Sequence, residues 1–165
     1  RIMTPPQGYS RTQITLHWVV MVLVALQFLL HDGIADAYDV AEETGQYAMS
    51  VPVIGHIAGG GLILLLACWR LILRHDRGTP PRPEGEPAAF RKAGHLAHLA
   101  FYALLIALPV TGALAWGGRQ DAAAEAHEVL KTLLLLLILA HIGAVAMHQL
   151  VWKTGILGRM MRAQD

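Results

Sequence analysis

Cysteine is almost absent from this chain: one residue, Cys68, in 165. A lone cysteine forms no intramolecular disulfide, and without a C-x-x-C-H run covalent haem attachment is excluded. Its place inside an apolar run marks it as a small core residue rather than a thiolate ligand. Charge is scarce too. Asp, Glu, Lys and Arg make up 15% of the chain against 55% hydrophobic residues, and the mean hydropathy is +0.44. That balance places the chain in the membrane class. The long apolar runs carry no carboxylate at their centres, which argues against an intramembrane cation transporter. No P-loop, dinucleotide fingerprint or internal repeat is present. The basic residues follow membrane topology rather than forming the water-exposed basic face that nucleic acid would need.

A membrane span takes about 20 mostly apolar residues. Four runs qualify: Ile14–Leu30, Pro52–Leu73, Leu96–Trp116 and Val129–Trp152. They predict an all-α integral membrane four-helix bundle, a single domain over 1–165, with helices at about 10–31, 52–74, 92–117 and 126–152. Ala35-Asp36-Ala37 after the first run looks like a signal-peptide cleavage site. The length of that run, with His17 and Gln27 inside it, argues for a retained helix. The N-terminal arm (with Arg1), the 74–95 connection (with Arg82) and the C-terminal tail hold nearly all the Lys and Arg. The 31–51 and 117–128 connections hold only Arg119, with Lys131 just inside the fourth helix. Basic loops stay cytoplasmic, so both termini are expected there. The opposite side is acidic, with Asp32, Asp36, Asp39, Glu42, Glu43, Asp121, Glu125 and Glu128. The Pro- and Gly-rich stretch 78–87 reads as a stiff irregular connector.

What the chain has in plenty is histidine, nine residues, most of them within or beside the apolar runs. An ionisable group at membrane depth is costly and marks function, and neutral imidazole is a common ligand for iron. Topology turns sequence position into height. His56 and His127 start their helices on the outer side; His17 and His141 lie in the inner half. His141 follows His127 by two heptads, roughly 21 Å deeper and only about 40° around the helix. Two cross-helix pairs result, His56–His127 and His17–His141, the arrangement by which a bundle holds b-type haem. Gly59 and Gly60, three and four residues after His56, offer clearance for a flat macrocycle, or else close helix approach. His31 and His75 read as interfacial. His95, His98 and His148 lie toward the cytoplasmic side, as inner ligands in place of His17, as core residues, or as hydrogen-bonding partners lining a quinone pocket.

At these residues the chain resembles the bacterial cytochrome b561 family. The stretches that carry the likeness are Tyr9-Ser10-Arg11-Thr12-Gln13-Ile14-Thr15-Leu16-His17-Trp18, Gly55-His56-Ile57, Gly94-His95-Leu96-Ala97-His98, Ala107-Leu108-Pro109-Val110-Thr111-Gly112, His127-Glu128 and His141 through Trp152-Lys153. The resemblance implies four transmembrane helices in the bacterial inner membrane, two non-covalent haem b groups, and exchange of electrons with ubiquinone. The positions matching the family's axial ligands are His17, His56, His127 and His141. His148 matches a quinone-contacting histidine, and His98 is a weaker candidate. The expected function is therefore transmembrane electron transfer between ubiquinone and a periplasmic donor or acceptor, by a quinone-linked membrane oxidoreductase embedded in lipid. Superoxide oxidation, as in some family members, is an alternative that the acidic outer loops oppose, because they repel an anion. A haem-bearing anchor for a larger oxidoreductase is a reading of another class.

Overall fold

A computed structural model describes residues 6–81, 83 and 86–163, all helical or irregular. Arg1 and Arg82 of the basic set, and Glu84 and Gly85 of the connector, lie outside the described residues. The helices are α1 (Arg11–Leu29), α2 (His31–Thr44), α3 (Val51–Arg77), α4 (Ala88–Trp116), α5 (Asp121–Leu150) and the short α6 (Ile156–Arg159). Four of them, α1, α3, α4 and α5, are long and apolar enough to cross a bilayer. The expected four-helix architecture is present. The largest boundary shifts are at two helix starts: α4 begins at Ala88 instead of 92, and α5 at Asp121 instead of 126.

The connection after the first span is itself a helix. Leu30 stays in the right-handed region, so the chain passes from α1 into α2 with one break. Ile34, Tyr38 and Ala41 recur at helical spacing, with acidic residues between them, and Ala41 is buried against the bundle. Gly45, at φ 74°, ends the helix in the left-handed conformation that glycine adopts without strain. The Ala35-Asp36-Ala37 stretch sits within this helix.

Helix ends follow their local chemistry. Ser10 and Gln13 form a reciprocal capping box at the start of α1. Gln13 then donates from Nε2 to the Gly78 carbonyl, 3.2 Å away, tying that cap to the end of α3. Pro52 stands in the first turn of α3, where its missing N–H costs nothing. Trp18 Nε1 donates to the Met160 carbonyl at 2.8 Å, and Arg159 donates to Pro81, so α6 folds back on the same end. The bundle thus has a termini end and an opposite, α2 end.

In packing order the spans run α1, α3, α4, α5. Their shared core lies between the two ends and consists of Val20, Val24, Ile63, Ala67, Leu105 and Leu134. Leu65, Ile72, Leu99, Leu136 and Leu139 point outward and stay exposed. A lateral surface this apolar suits lipid, in which each helix satisfies its own backbone. Tyr38, Tyr47 and Trp116 cluster at the α2 end, and Phe90 and Trp152 pair at the other. Aromatic rings at both ends match the two water–membrane interfaces.

Candidate cofactor site

At the α2 end the bundle encloses a cavity of about 590 Å³, bounded by all four spans and roofed by α2. Its walls are mostly apolar, and of the three histidines that line it, His56 from α3 and His127 from α5 face each other. Their ring centroids are 6.3 Å apart, with planes at 60°.

His127 is held from behind. Its Nδ1–H donates to the Leu108 carbonyl at 2.9 Å, and the Thr111 hydroxyl oxygen lies 3.1 Å from the same nitrogen. Thr111 in turn donates to the carbonyls of Ala107 and Leu108. Pro109, next to that carbonyl and inside α4, lacks an N–H and loosens the local ladder. Gly112 completes the seat, since a Cβ there would come within 3.2 Å of His127 Cε1. This fixes the tautomer and leaves Nε2 for a ligand, the usual backing for a metal-bound histidine. His56 differs: its Nδ1 is buried with no hydrogen-bond partner among the described residues.

The site meets the demands of a bis-imidazole metal centre. Two imidazole nitrogens bound to one metal at about 2 Å each place the ring centroids roughly 6 Å apart. The separation of His56 and His127 agrees with that figure. The volume also lies inside the range of about 300–1,000 Å³ common to cofactor sites. Gly60 and Gly61 line the cavity, and a Cβ on either would meet no atom within 4 Å, so they leave the wall open. Gly59 does something else. A side chain there would run into the Gln27 amide, which makes its smallness a matter of α1–α3 packing.

The other level is packed differently. His17, His98 and His141 are within electrostatic reach of one another. The ring against His141 is that of His98, centroids 5.9 Å apart, with Phe101 at 5.4 Å on another side. His17 engages Arg70, whose Nη2 donates to His17 Nδ1 at 3.2 Å. Arginine only donates, so Nδ1 is the acceptor in this geometry, and binding a metal through Nε2 would require Arg70 to release Nδ1 so that the ring proton can move there. Arg70 also lies over the Tyr102 ring, 5.7 Å from its centroid. The sequence signal for Arg70 is its spacing: it follows His56 by 14 residues, as His141 follows His127.

His148 is buried near the termini end. Its Nε2 is 3.4 Å from a carboxylate oxygen of Glu86, itself buried, and its Nδ1 is 2.9 Å from the Thr154 hydroxyl. Trp152 packs edge-on against it at 4.6 Å. Glu86 comes from the 78–87 connector, which therefore contributes a functional-looking group as well as length. His98 is exposed, with Nδ1 2.7 Å from the Gly94 carbonyl, and His95 and His75 are exposed as well.

His31 is not a simple interfacial residue. Together with Glu128 and Lys131 it lines the α2-end cavity, and Lys131 Nζ donates to His31 Nε2 at 2.6 Å.

Residues 8–163 match the family described as prokaryotic cytochrome b561. The chain is 34% identical over 160 residues to a cytochrome b562 of Cereibacter sphaeroides, covering 97% of this chain and 99% of that protein. It is 26% identical over 181 residues to cytochrome b561 homolog 1 of Escherichia coli, covering 93% and 96% respectively.

Proposed function

We propose that this chain, which belongs to the prokaryotic cytochrome b561 family, carries two haem b groups and moves electrons between a redox partner at the α2 end and ubiquinone at the termini end. Family membership alone makes it a haem-binding electron-transfer protein with several spans in the bacterial inner membrane. The observation that carries the finer reading is the pair His56 and His127, facing across a cavity of cofactor size at bis-imidazole separation. His17 and His141 are the proposed ligands of the second group, with Arg70 beside them. Haem, when bound, supplies one-electron redox chemistry, and its potential follows from ligands, hydrogen bonds and burial.

The chain's own residues do the remaining work. Leu108 and Thr111 hold the His127 ring so that Nε2 stays aimed into the cavity. The apolar core between the two levels excludes water from the path. Reducing a quinone to a quinol takes two protons with its two electrons, and His148 paired with Glu86 can store and pass protons. His98, exposed and 5.9 Å from the His141 ring, offers a second imidazole to a quinone at that level. The concentration of Lys and Arg at the termini end supports a cytoplasmic placement for that end.

Superoxide is a weaker candidate for the outer partner. Carboxylates surround the α2-end mouth, where Arg119 and Lys131 are the only Lys or Arg in residues 31–131 outside the 70–92 region. Such a field disfavours an approaching anion and favours a neutral or cationic donor. The test is a purified chain assayed alone. Two haems per chain, a six-coordinate low-spin reduced spectrum and electron exchange with a soluble quinol are the expected results. A haem-loaded chain inert toward quinol would support the anchor reading, and a colourless one would remove the proposal altogether. In His148→Ala, both haems should remain while quinone exchange slows; normal kinetics would return His148 to a structural role.

A further inference from the structure

Haem b brings two carboxylates as well as an iron. A carboxylate taken into a mostly apolar cavity needs a hydrogen-bonded cationic partner, because unpaired burial of a charge is costly. At the α2 end partners are few. Lys131 is the only Lys or Arg lining the cavity among the described residues, whereas Asp39 and Glu128 also border it. Any anionic substituent entering this space must therefore find Lys131 or be repelled.

We infer that Lys131 and His31 form a carboxylate clamp, receiving a propionate of the haem placed between His56 and His127, an assignment that rests on the haem reading above. Three observations converge on it. The ammonium and the imidazole are already joined, Nζ to Nε2 at 2.6 Å, with His31 on the α1–α2 junction and Lys131 one turn beyond His127 on α5. Both are mostly shielded, with side-chain exposures of 25% for His31 and 22% for Lys131. Both also lie within electrostatic reach of His56 and His127.

Glu128 is the internal competitor. It pairs with Lys131 from three residues away, and one of its carboxylate oxygens lies 3.9 Å from His31. Its side chain is 55% exposed, so it can turn to water when another carboxylate takes the ammonium. Glu128 thus occupies the cation without fixing it. Neutral His31 accepts from Lys131 through Nε2 and keeps its proton on Nδ1. It steadies the lysine while adding no competing anion.

Lys131→Met, Lys131→Arg and His31→Gln test the clamp in the full-length protein with haem bound. Haem transfer to excess apomyoglobin should show two phases, one per site. In Lys131→Met, one phase should accelerate about tenfold, the loss expected for a charge-assisted hydrogen bond, while the other phase holds and reports an intact fold. Lys131→Arg should restore the slow phase, and His31→Gln should accelerate it less than Lys131→Met does. Redox-difference infrared spectra with 13C-labelled haem propionates supply the second readout: label-sensitive carboxylate bands should move in Lys131→Met. Unchanged release overturns the clamp. Faster release with unmoved propionate bands overturns it too, because it assigns Lys131 to packing. A wild-type protein without haem overturns the cavity reading instead, so the two failures are distinguishable.

Discussion

At the α2 end, His56 and His127 face each other over open space, and one of them is locked from behind by the Leu108 carbonyl and Thr111. At the termini end, His17, His98 and His141 sit in one cluster, with Arg70 donating to His17. The same helices build both levels at the same 14-residue interval, His127 to His141 on α5 and His56 to Arg70 on α3. What changes is the residue that α3 presents, an imidazole at one level and a permanent cation at the other. One level can thus be made from α3 and α5 alone, while the other must recruit α1. The comparison teaches that helical periodicity sets where sites fall, and that single side chains decide what each site can hold. An arginine beside one group and a mostly acidic mouth beside the other also give the two levels unlike fields. Unlike fields separate the potentials of groups held at the two levels.

The largest test of the comparison removes one level at a time. His56→Ala or His127→Ala should halve the haem content and leave the remaining haem's spectrum unaltered. Full haem content in both variants would break the pairing. His17→Ala and His98→Ala sharpen the other level, because both rings lie near His141. Loss of the second haem in His17→Ala and its retention in His98→Ala are expected. The reverse result would transfer the ligand role to His98.

Much of this was legible before any coordinates. Run length and the scarcity of charge gave the four spans, and the two-heptad interval on α5 put His127 and His141 at two heights. Amphipathic α2 is masked in the sequence by its many acidic residues, although Ile34, Tyr38 and Ala41 spell a helical face and Gly45 its stop. Arg70 could have been found from its interval to His56. The seat of His127 could not. It rests on a tertiary hydrogen bond to a main-chain carbonyl, and no side-chain pattern announces which carbonyl will be near. The same holds for Glu86, carried to His148 by an irregular connector, and for the separate duties of Gly59 and Gly60. Adjacent glycines look alike in sequence and meet different neighbours in space.

A smaller effect is expected at Arg70, whose guanidinium keeps its charge at any working pH. Arg70→Met removes a positive charge close to the proposed second haem. At an effective dielectric of about 20 the change should be roughly 1–2 kcal/mol, or roughly 40–90 mV toward lower potential. The α2-end haem should move far less over the intervening distance. Potentiometric titration of the two haem bands checks both statements, and equal shifts at the two levels would contradict the separate fields argued above.

The smallest effect belongs to Thr111, which supports His127 at second hand. Thr111→Val keeps the side chain's volume and β-branching but removes the hydroxyl shared among Ala107, Leu108 and His127 Nδ1. The Leu108 carbonyl still accepts from Nδ1, so the ring should keep its orientation and the haem should stay bound. Losing one neutral hydrogen bond should change the potential of that haem by about 1 kcal/mol or less, in the direction of a less basic imidazole. A weaker electron donor at the iron favours the reduced state, so the potential should rise by at most a few tens of millivolts. Thr111→Ser, which restores the hydroxyl, should return it to the wild-type value. If Thr111→Val instead lost the haem, the seat of His127 would depend on the hydroxyl, and the carbonyl alone would not suffice to hold the ring.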